Sequence, residues 1–253
     1  MHAWTRYVAI GDSFTEGIGD PEANAPGGHR GWADRVAEEL AAQTDAFAYA
    51  NLAVRGRLLQ GIRDEQAGRA LELRPDLISV SAGGNDILRP GSDPDEVAGR
   101  LDELVALLRS DGATVVVFTG PDIGMTPVMR RVRGKVAIFN ENTHTVARRR
   151  GAVVVDLWAM RELEAAPMWA EDRLHFSPLG HHTIAREVLR SLGVEHGLEQ
   201  LEPPALPAKS WREARAEDLH WAKDYLMPWI GRRLTGRSSG DGVQPKRPEL
   251  RAP

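Results

Sequence analysis

The chain has 253 residues, 42% hydrophobic and 27% charged, with a formal net charge of −4 and no cysteine. That is enough apolar material for one substantial core. The slightly acidic balance offers nucleic acid no basic surface, and the lack of cysteine excludes disulfides, thiolate metal sites and a cysteine nucleophile.

No basic and apolar leader precedes the first strand, and no apolar run reaches the ~18 residues of a membrane-spanning helix. The expectation is a soluble, cytoplasmic protein.

The first element is Tyr7-Val8-Ala9-Ile10, an apolar run that stops on Gly11-Asp12-Ser13 and reads as a buried strand handing over to a loop. A glycine-rich loop covers 17–31. Trp32, Val36 and Leu40 recur at helical spacing over 32–42. A second strand is expected over 46–53, ending in Asn51-Leu52-Ala53-Val54-Arg55-Gly56, and a helix over 58–73 that stops at Arg74-Pro75. Leu77-Ile78-Ser79-Val80-Ser81 is a third strand, running into Ala82-Gly83-Gly84-Asn85-Asp86.

Ser92-Asp93-Pro94-Asp95 signals a helix start, and Thr114-Val115-Val116-Val117-Phe118 a fourth strand. A helix over 135–150 leads to a fifth strand, Val153 to Leu157. Asp172-Arg173-Leu174-His175 precedes a last helix over 179–192. Nearly continuous apolar strands alternating with helices predict a three-layer α/β/α, flavodoxin-like, doubly wound, five-stranded parallel sheet covered on both faces.

This domain is expected over residues 1–198. A proline-rich linker follows over 199–210, then a helical extension over 211–234. The tail 235–253, rich in Gly, Ser, Pro and Arg, is expected to be disordered.

Ligands bind at the carboxyl edge of such a sheet. The chain sends Ser13, Gly56, Asn85 and the pair Asp172/His175 toward that edge. Ester hydrolysis through an acyl-enzyme needs a nucleophile, a base, a group that orients the base, and oxyanion donors. Ser13, His175 and Asp172 fit the first three roles. The backbone N–H groups of Ser13 and Gly56, with the Asn85 amide, fit the fourth, and glycine at 56 lets its N–H approach a ligand closely.

Gly11-Asp12-Ser13, Gly56 after Asn51, Gly83-x-Asn85-Asp86 and Asp172-x-x-His175 resemble, in order, the four blocks of the SGNH (GDSL-type) serine hydrolase superfamily, over roughly residues 6–192. The resemblance implies the same roles: Ser13 the nucleophile, Gly56 and Asn85 in the oxyanion hole, His175 and Asp172 the base and its orienting acid. No cofactor or metal is implied. Phe14 stands where the family name expects leucine, a substitution of one apolar packing residue for another.

Other readings stay open at this level. Ser13 and Asn85-Asp86 are also capping and turn residues, and Asp172/His175 could be a surface ion pair. Asp156 is an alternative partner for His175. Asp12 and Asp86 read as supports of loop backbone, His181 and His182 as packing or solvated residues. Gly236-Arg237-Ser238-Ser239-Gly240 matches the Gly-x-Ser-x-Gly of α/β-hydrolases but has no strand before it, so it reads as a chance match.

The alternatives to an esterase acting on a small-molecule ester are a non-catalytic acyl- or sugar-binding module on the same fold and a metal-dependent phosphoesterase. The acidic residues of the C-terminal helix argue against membrane contact. Natural substrate and oligomeric state are not encoded in any readable motif.

Overall fold

The computed structural model describes residues 4–124, 129–205, 210–228, 231 and 238–253. Part of the linker expected over 199–210, part of the helix expected over 211–234, the start of the tail, and residues 125–128 lie outside the described residues.

The central strand β1 (Arg6–Gly11) lies between β2 (Ala48–Asn51) and β3 (Leu77–Ser81), and β4 (Thr114–Phe118) and β5 (Val153–Val155) extend the sheet beyond β3. These five strands are parallel. Successive residues of β1 point to opposite faces. Val8 and Ile10 join one apolar cluster with Ile78, Val80, Val115 and Val117. Tyr7 and Ala9 join the other with Trp32, Val116 and Phe118.

Helices cover both faces. Helix α1 (Ser13–Glu16) directly follows β1. The second cluster is closed by α2 (Gly31–Ala41) and α8 (Pro178–Ser191). The first is closed by α3 (Leu59–Ile62), α4 (Gly68–Glu72), α6 (Pro94–Leu108) and α7 (Arg133–Arg150). The short α5 (Gly84–Ile87) follows β3. Three layers result. Among the described residues, no helix is long and apolar enough to cross a membrane.

One helix departs from its expected regularity. Between α3 and α4 the chain passes through a π-helical turn, Arg63–Ala67. A π turn rotates the following side chains relative to the helix before it. Here Gln66, 3% exposed, reaches the end of β1, accepting from Gly11 N–H at 2.8 Å and donating to Gly11 C=O at 2.9 Å. Hydrophobic spacing cannot register that bend.

The tail corrects the expectations in two ways. Residues 238–253 do not form a structureless end, and the sheet has six strands rather than five. Strand β6 (Arg247–Arg251) pairs antiparallel with β2, making the sheet mixed, in the order β5-β4-β3-β1-β2-β6. Pro248 is tolerable because β6 is an edge strand. Composition misled here because the tail is held by backbone pairing and one buried charge, not by apolar area.

That charge is Lys246. Its ammonium donates to His29 C=O at 2.9 Å, Arg30 C=O at 2.7 Å and the Asp34 carboxylate at 2.9 Å. Both side chains are 2% exposed. Asp34 also accepts from Tyr49 O–H at 2.9 Å. Tyr49 in turn accepts from Asn51, whose amide donates as well to Thr15 C=O at 2.9 Å. A line of paired polar groups thus runs under the sheet from the tail to α1. Burial raises the Asp34 carboxyl above its ordinary range and lowers the Lys246 ammonium, each partly offset by the other's charge.

Removing one partner of a buried pair strands the other. Lys246→Met is expected to cost about 3–5 kcal/mol of stability, measured as a shift in the urea midpoint; a loss under about 1 kcal/mol would mean that solvent reaches Asp34.

Candidate active site

The strand order creates the site. From β1 the chain moves to β2 on one side, then crosses to β3 on the other, so the sheet reverses its winding at β1. Clefts open at the carboxyl ends of strands at such a switch point. The three adjacent strand ends there lead into Ser13, Gly56 and Asn85.

Ser13 is the first residue of α1, where a helix leaves N–H groups without an intrahelical acceptor. Asp12 caps this helix by accepting from Phe14 N–H at 3.1 Å. Phe14 points into the core, with Trp32, Phe118 and Phe176 ring centroids 5.4, 5.5 and 5.7 Å away. The backbone leaving β1 is therefore held by Gln66, the cap and an aromatic cluster.

Gly56 lies in a turn closed by Arg57 N–H donating to Val54 C=O at 3.4 Å. Its φ of +74° is the value that the third residue of a type II turn requires, and glycine adopts it without strain. The turn is tied to α1 through Arg55, whose N–H and guanidinium both donate to the buried Glu16 carboxylate, at 2.7 Å from the amide. Glu16 and Arg55 are 39 residues apart, and no local sequence signal announces the pair.

The Asn85 amide donates to Asp12 at 3.0 Å and to Arg57 C=O at 3.1 Å, joining the first, second and third blocks. Asp86 accepts from Leu59 N–H at 2.9 Å and so positions the start of α3. Beside them opens a cleft of about 220 Å³ lined by Leu58, Asp86, Arg89, Pro90, Val97 and Arg100, among others.

The fourth block is the loop before α8. Ser177 caps that helix, and Asp172 accepts from the N–H groups of Leu174 and His175, both at 3.0 Å. The other Asp172 oxygen lies 2.5 Å from His175 Nδ1, and His175 Nε2 lies 3.0 Å from Ser13 Oγ. An ionised carboxylate only accepts, so Nδ1–H donates to Asp172 and Nε2 is left to accept from the serine hydroxyl. Burial pushes the Asp172 carboxyl upward, but the His175 hydrogen bond and charge, with the two N–H donors, hold it below its ordinary value. Side-chain exposures of 20% for His175 and 24% for Asp172 leave the pair within reach of a substrate.

The structure thus brings Ser13, His175 and Asp172 into one hydrogen-bonded line, with Asn85 and the Gly56 turn beside it. Asp156 is not part of it. That carboxylate accepts from Thr119 O–H at 2.9 Å and lies 3.7 Å from His144. His181 is buried: Nδ1 accepts from Trp32 N–H at 3.2 Å and Nε2 donates to Ile18 C=O at 3.1 Å. Burial lowers its pKa to about 4, so it stays neutral. His182 donates to Glu199 C=O at 2.7 Å near the surface.

The C-terminal helix α9 (Trp211–Trp221) packs on the fourth block. Trp221 Nε1–H donates to Asp172 C=O at 2.8 Å, and Arg173 pairs with Asp218 at 2.7 Å. Arg173 adopts a left-handed φ of 54° at the loop tip. Trp211 and Leu219 remain exposed. Among the described residues no group of three or more His, Asp or Glu side chains is arranged to hold a metal ion.

Asp12 carries an electrostatic cost. Burial raises its carboxyl from 3.8 to about 6; Phe14 N–H, His175 and Asn85 oppose the rise, and Asp86 adds to it. The native state therefore holds this proton more tightly than the unfolded chain, and the associated stability is lost as pH rises through about 6. Asp12→Asn removes that loss. Its stability relative to wild type should rise between about pH 4 and about pH 7, by up to ~3 kcal/mol. Urea midpoints of both proteins across that range test this; parallel curves would refute it.

The chain matches the family model described as GDSL-like Lipase/Acylhydrolase family over residues 9–183. A stretch of 88 residues is 30% identical to YpmR, an uncharacterised protein of Bacillus subtilis, and spans 32% of each chain. Among solved structures, TesA is 20% identical with a TM-score of 0.61, over 74% of this chain and 98% of that one. An acetylxylan esterase from Geobacillus stearothermophilus is also 20% identical, with a TM-score of 0.63, over 76% and 95%. The esterase EstA from Pseudoalteromonas is 17% identical, with a TM-score of 0.59, over 75% and 97%. These structures share the α/β/α fold. The matched region holds all four blocks, from Ser13 to His175, and the chain belongs to the GDSL-like lipase/acylhydrolase family, a family of ester-bond hydrolases.

Proposed function

We propose that the protein is a serine esterase that cleaves carboxylic esters of small molecules through an acyl-enzyme on Ser13. The observation that carries this reading is the continuous line from Asp172 through His175 to Ser13 Oγ, with contacts of 2.5 and 3.0 Å.

In the mechanism, His175 Nε2 takes the hydroxyl proton as Ser13 Oγ attacks the ester carbonyl carbon. The carbonyl oxygen becomes an oxyanion, and the N–H groups of Ser13 and Gly56 with the Asn85 amide stabilise it. Collapse of this intermediate expels the alcohol, which takes the proton from His175. Water then attacks the acyl-enzyme with His175 again as base, releasing the acid and restoring the serine. Asp172 keeps the imidazole in the Nδ1–H tautomer and stabilises its charged form. No metal or cofactor enters this scheme.

Asn85 donates to Asp12 and Arg57 in the resting state. The oxyanion therefore competes for an amide that is already oriented, so little side-chain entropy is lost at the moment of reaction. We assign the acyl or alcohol portion of the substrate to the cleft lined by Leu58 and Asp86, the sequence neighbours of the Gly56 turn and of Asn85. One of the similar structures is an acetylxylan esterase; a small acyl group is a reasonable first test here.

Wild type and Ser13→Ala treated with a fluorophosphonate, alongside p-nitrophenyl esters of several chain lengths, test the nucleophile. Labelling and turnover are expected in wild type only. No labelling of folded wild type would favour a binding module, and turnover in Ser13→Ala would place the chemistry elsewhere. Asn85→Ala should lower kcat by about 10²–10³-fold. Asp172→Ala should lower it by up to about 10⁴-fold; a near-normal rate would remove Asp172 from the mechanism.

A further inference from the structure

The tail retraces the second block in reverse. Arg251 pairs with Tyr49 and Arg247 with Asn51. Farther along, Gly240 is buried against Val54 and the carbonyl of Arg55, and Ser238 lies against Gly56. Four points in the tail thus meet successive points of the segment running from β2 to the Gly56 turn.

The contact at the turn is tight. A Cβ on Gly240 would collide with the Arg55 carbonyl oxygen and meet Val54 Cγ1 at 3.0 Å, so only a glycine lets the two backbones lie this close. On the other side of the turn, a Cβ on Gly56 would collide with Ser238 Oγ. The position of Ser238 is itself fixed. Its Oγ accepts from Gly240 N–H at 3.1 Å, its N–H donates to Asp241 at 2.9 Å, and its C=O accepts from Asp241 N–H at 3.2 Å. The compact turn is followed by Lys246, whose ammonium is buried under α2.

We infer that the C-terminal segment 238–251 is a brace for the oxyanion side of the active site, with Ser238 and Gly240 as positioning residues for the Gly56 turn. This inference rests on the esterase reading above. The Gly56 turn is otherwise held from below, by Arg55 to Glu16, and laterally, by Asn85 to Arg57 C=O. The tail adds Ser238 against Gly56 and Gly240 against the Arg55 carbonyl. An N–H aimed at an oxyanion works only while its peptide cannot tilt, and Gly56, with no side chain of its own to pack, depends on neighbouring groups to hold it. The Gly-x-Ser-x-Gly string at 236–240 is therefore not a nucleophile motif; Ser238 contributes contact and Gly240 closeness.

The test uses full-length wild type, Ser238→Ala, Ser238→Thr, Gly240→Ala and, as a control, Glu249→Gln on the exposed face of β6. Hydrolysis of p-nitrophenyl acetate and thermal midpoints are measured for each, with amide exchange at Arg55 and Arg57, whose N–H groups donate to the Glu16 carboxylate and to Val54 C=O. Gly240→Ala and Ser238→Ala should lower kcat by about tenfold or more with KM changed by less than about twofold. Exchange at Arg55 and Arg57 should quicken by about tenfold. Ser238→Thr keeps the hydroxyl and should restore most of kcat, and Glu249→Gln should match wild type.

If Gly240→Ala does not fold, Ser238→Ala decides. Folded variants with wild-type kcat and exchange would overturn the brace, as would a rise in KM alone, which would make the tail a wall of the substrate pocket. A wild type that hydrolyses no ester would sink the esterase reading, and the brace would then stand or fall on the exchange rates.

Discussion

The end of β1 imposes the constraint from which the site follows. A central strand must stop there, yet its last peptide groups remain buried, and buried N–H and C=O groups need partners. Gly11 finds its partners in the side-chain amide of Gln66, which meets both its N–H and its C=O. Asp12 then caps the following turn and accepts from Asn85. Ser13 is presented at the surface by groups whose first task is to leave no backbone polar atom unpaired. A well-held Ser13 and a well-satisfied strand end are here the same structure.

The same economy extends outward. Asn85 joins three blocks with one amide, and Asp172 uses one oxygen for two backbone N–H groups and the other for His175. With its first oxygen so occupied, the carboxylate cannot rotate away from the imidazole. The cost of the arrangement sits on Asp12, whose burial disfavours its charge. That carboxylate persists because the cap of α1 and the orientation of Asn85 both depend on it.

Beneath the sheet, a second line of polar groups runs from Lys246 through Asp34, Tyr49 and Asn51 to the carbonyl of Thr15. It ties the last segment of the chain to the helix that begins with Ser13. The strand at 247–251 and the turn at 238–240 for this reason pack on the α/β/α unit formed by the residues before 198. Helix α9 similarly reaches the fourth block through Trp221 and Asp172 C=O.

Much of this was legible in the residues alone. Apolar runs located all five parallel strands because a strand buried on both faces must be apolar throughout. Polar residues just beyond those runs located Ser13 and Asn85, since the carboxyl edge of such a sheet is where chemistry can be exposed, and the Asp-x-x-His spacing before the last helix located Asp172 and His175. What the sequence could not contain were contacts between segments far apart in the chain: Gln66 with Gly11, Glu16 with Arg55, Asp34 with Lys246. Periodicity and composition report how a segment meets a generic apolar core, and these contacts are individual pairings of polar groups. The tail is the clearest case. Poor in apolar side chains, it carries no signal of order by itself, and it becomes a strand only because β2 offers an unpaired edge and Asp34 a buried negative charge.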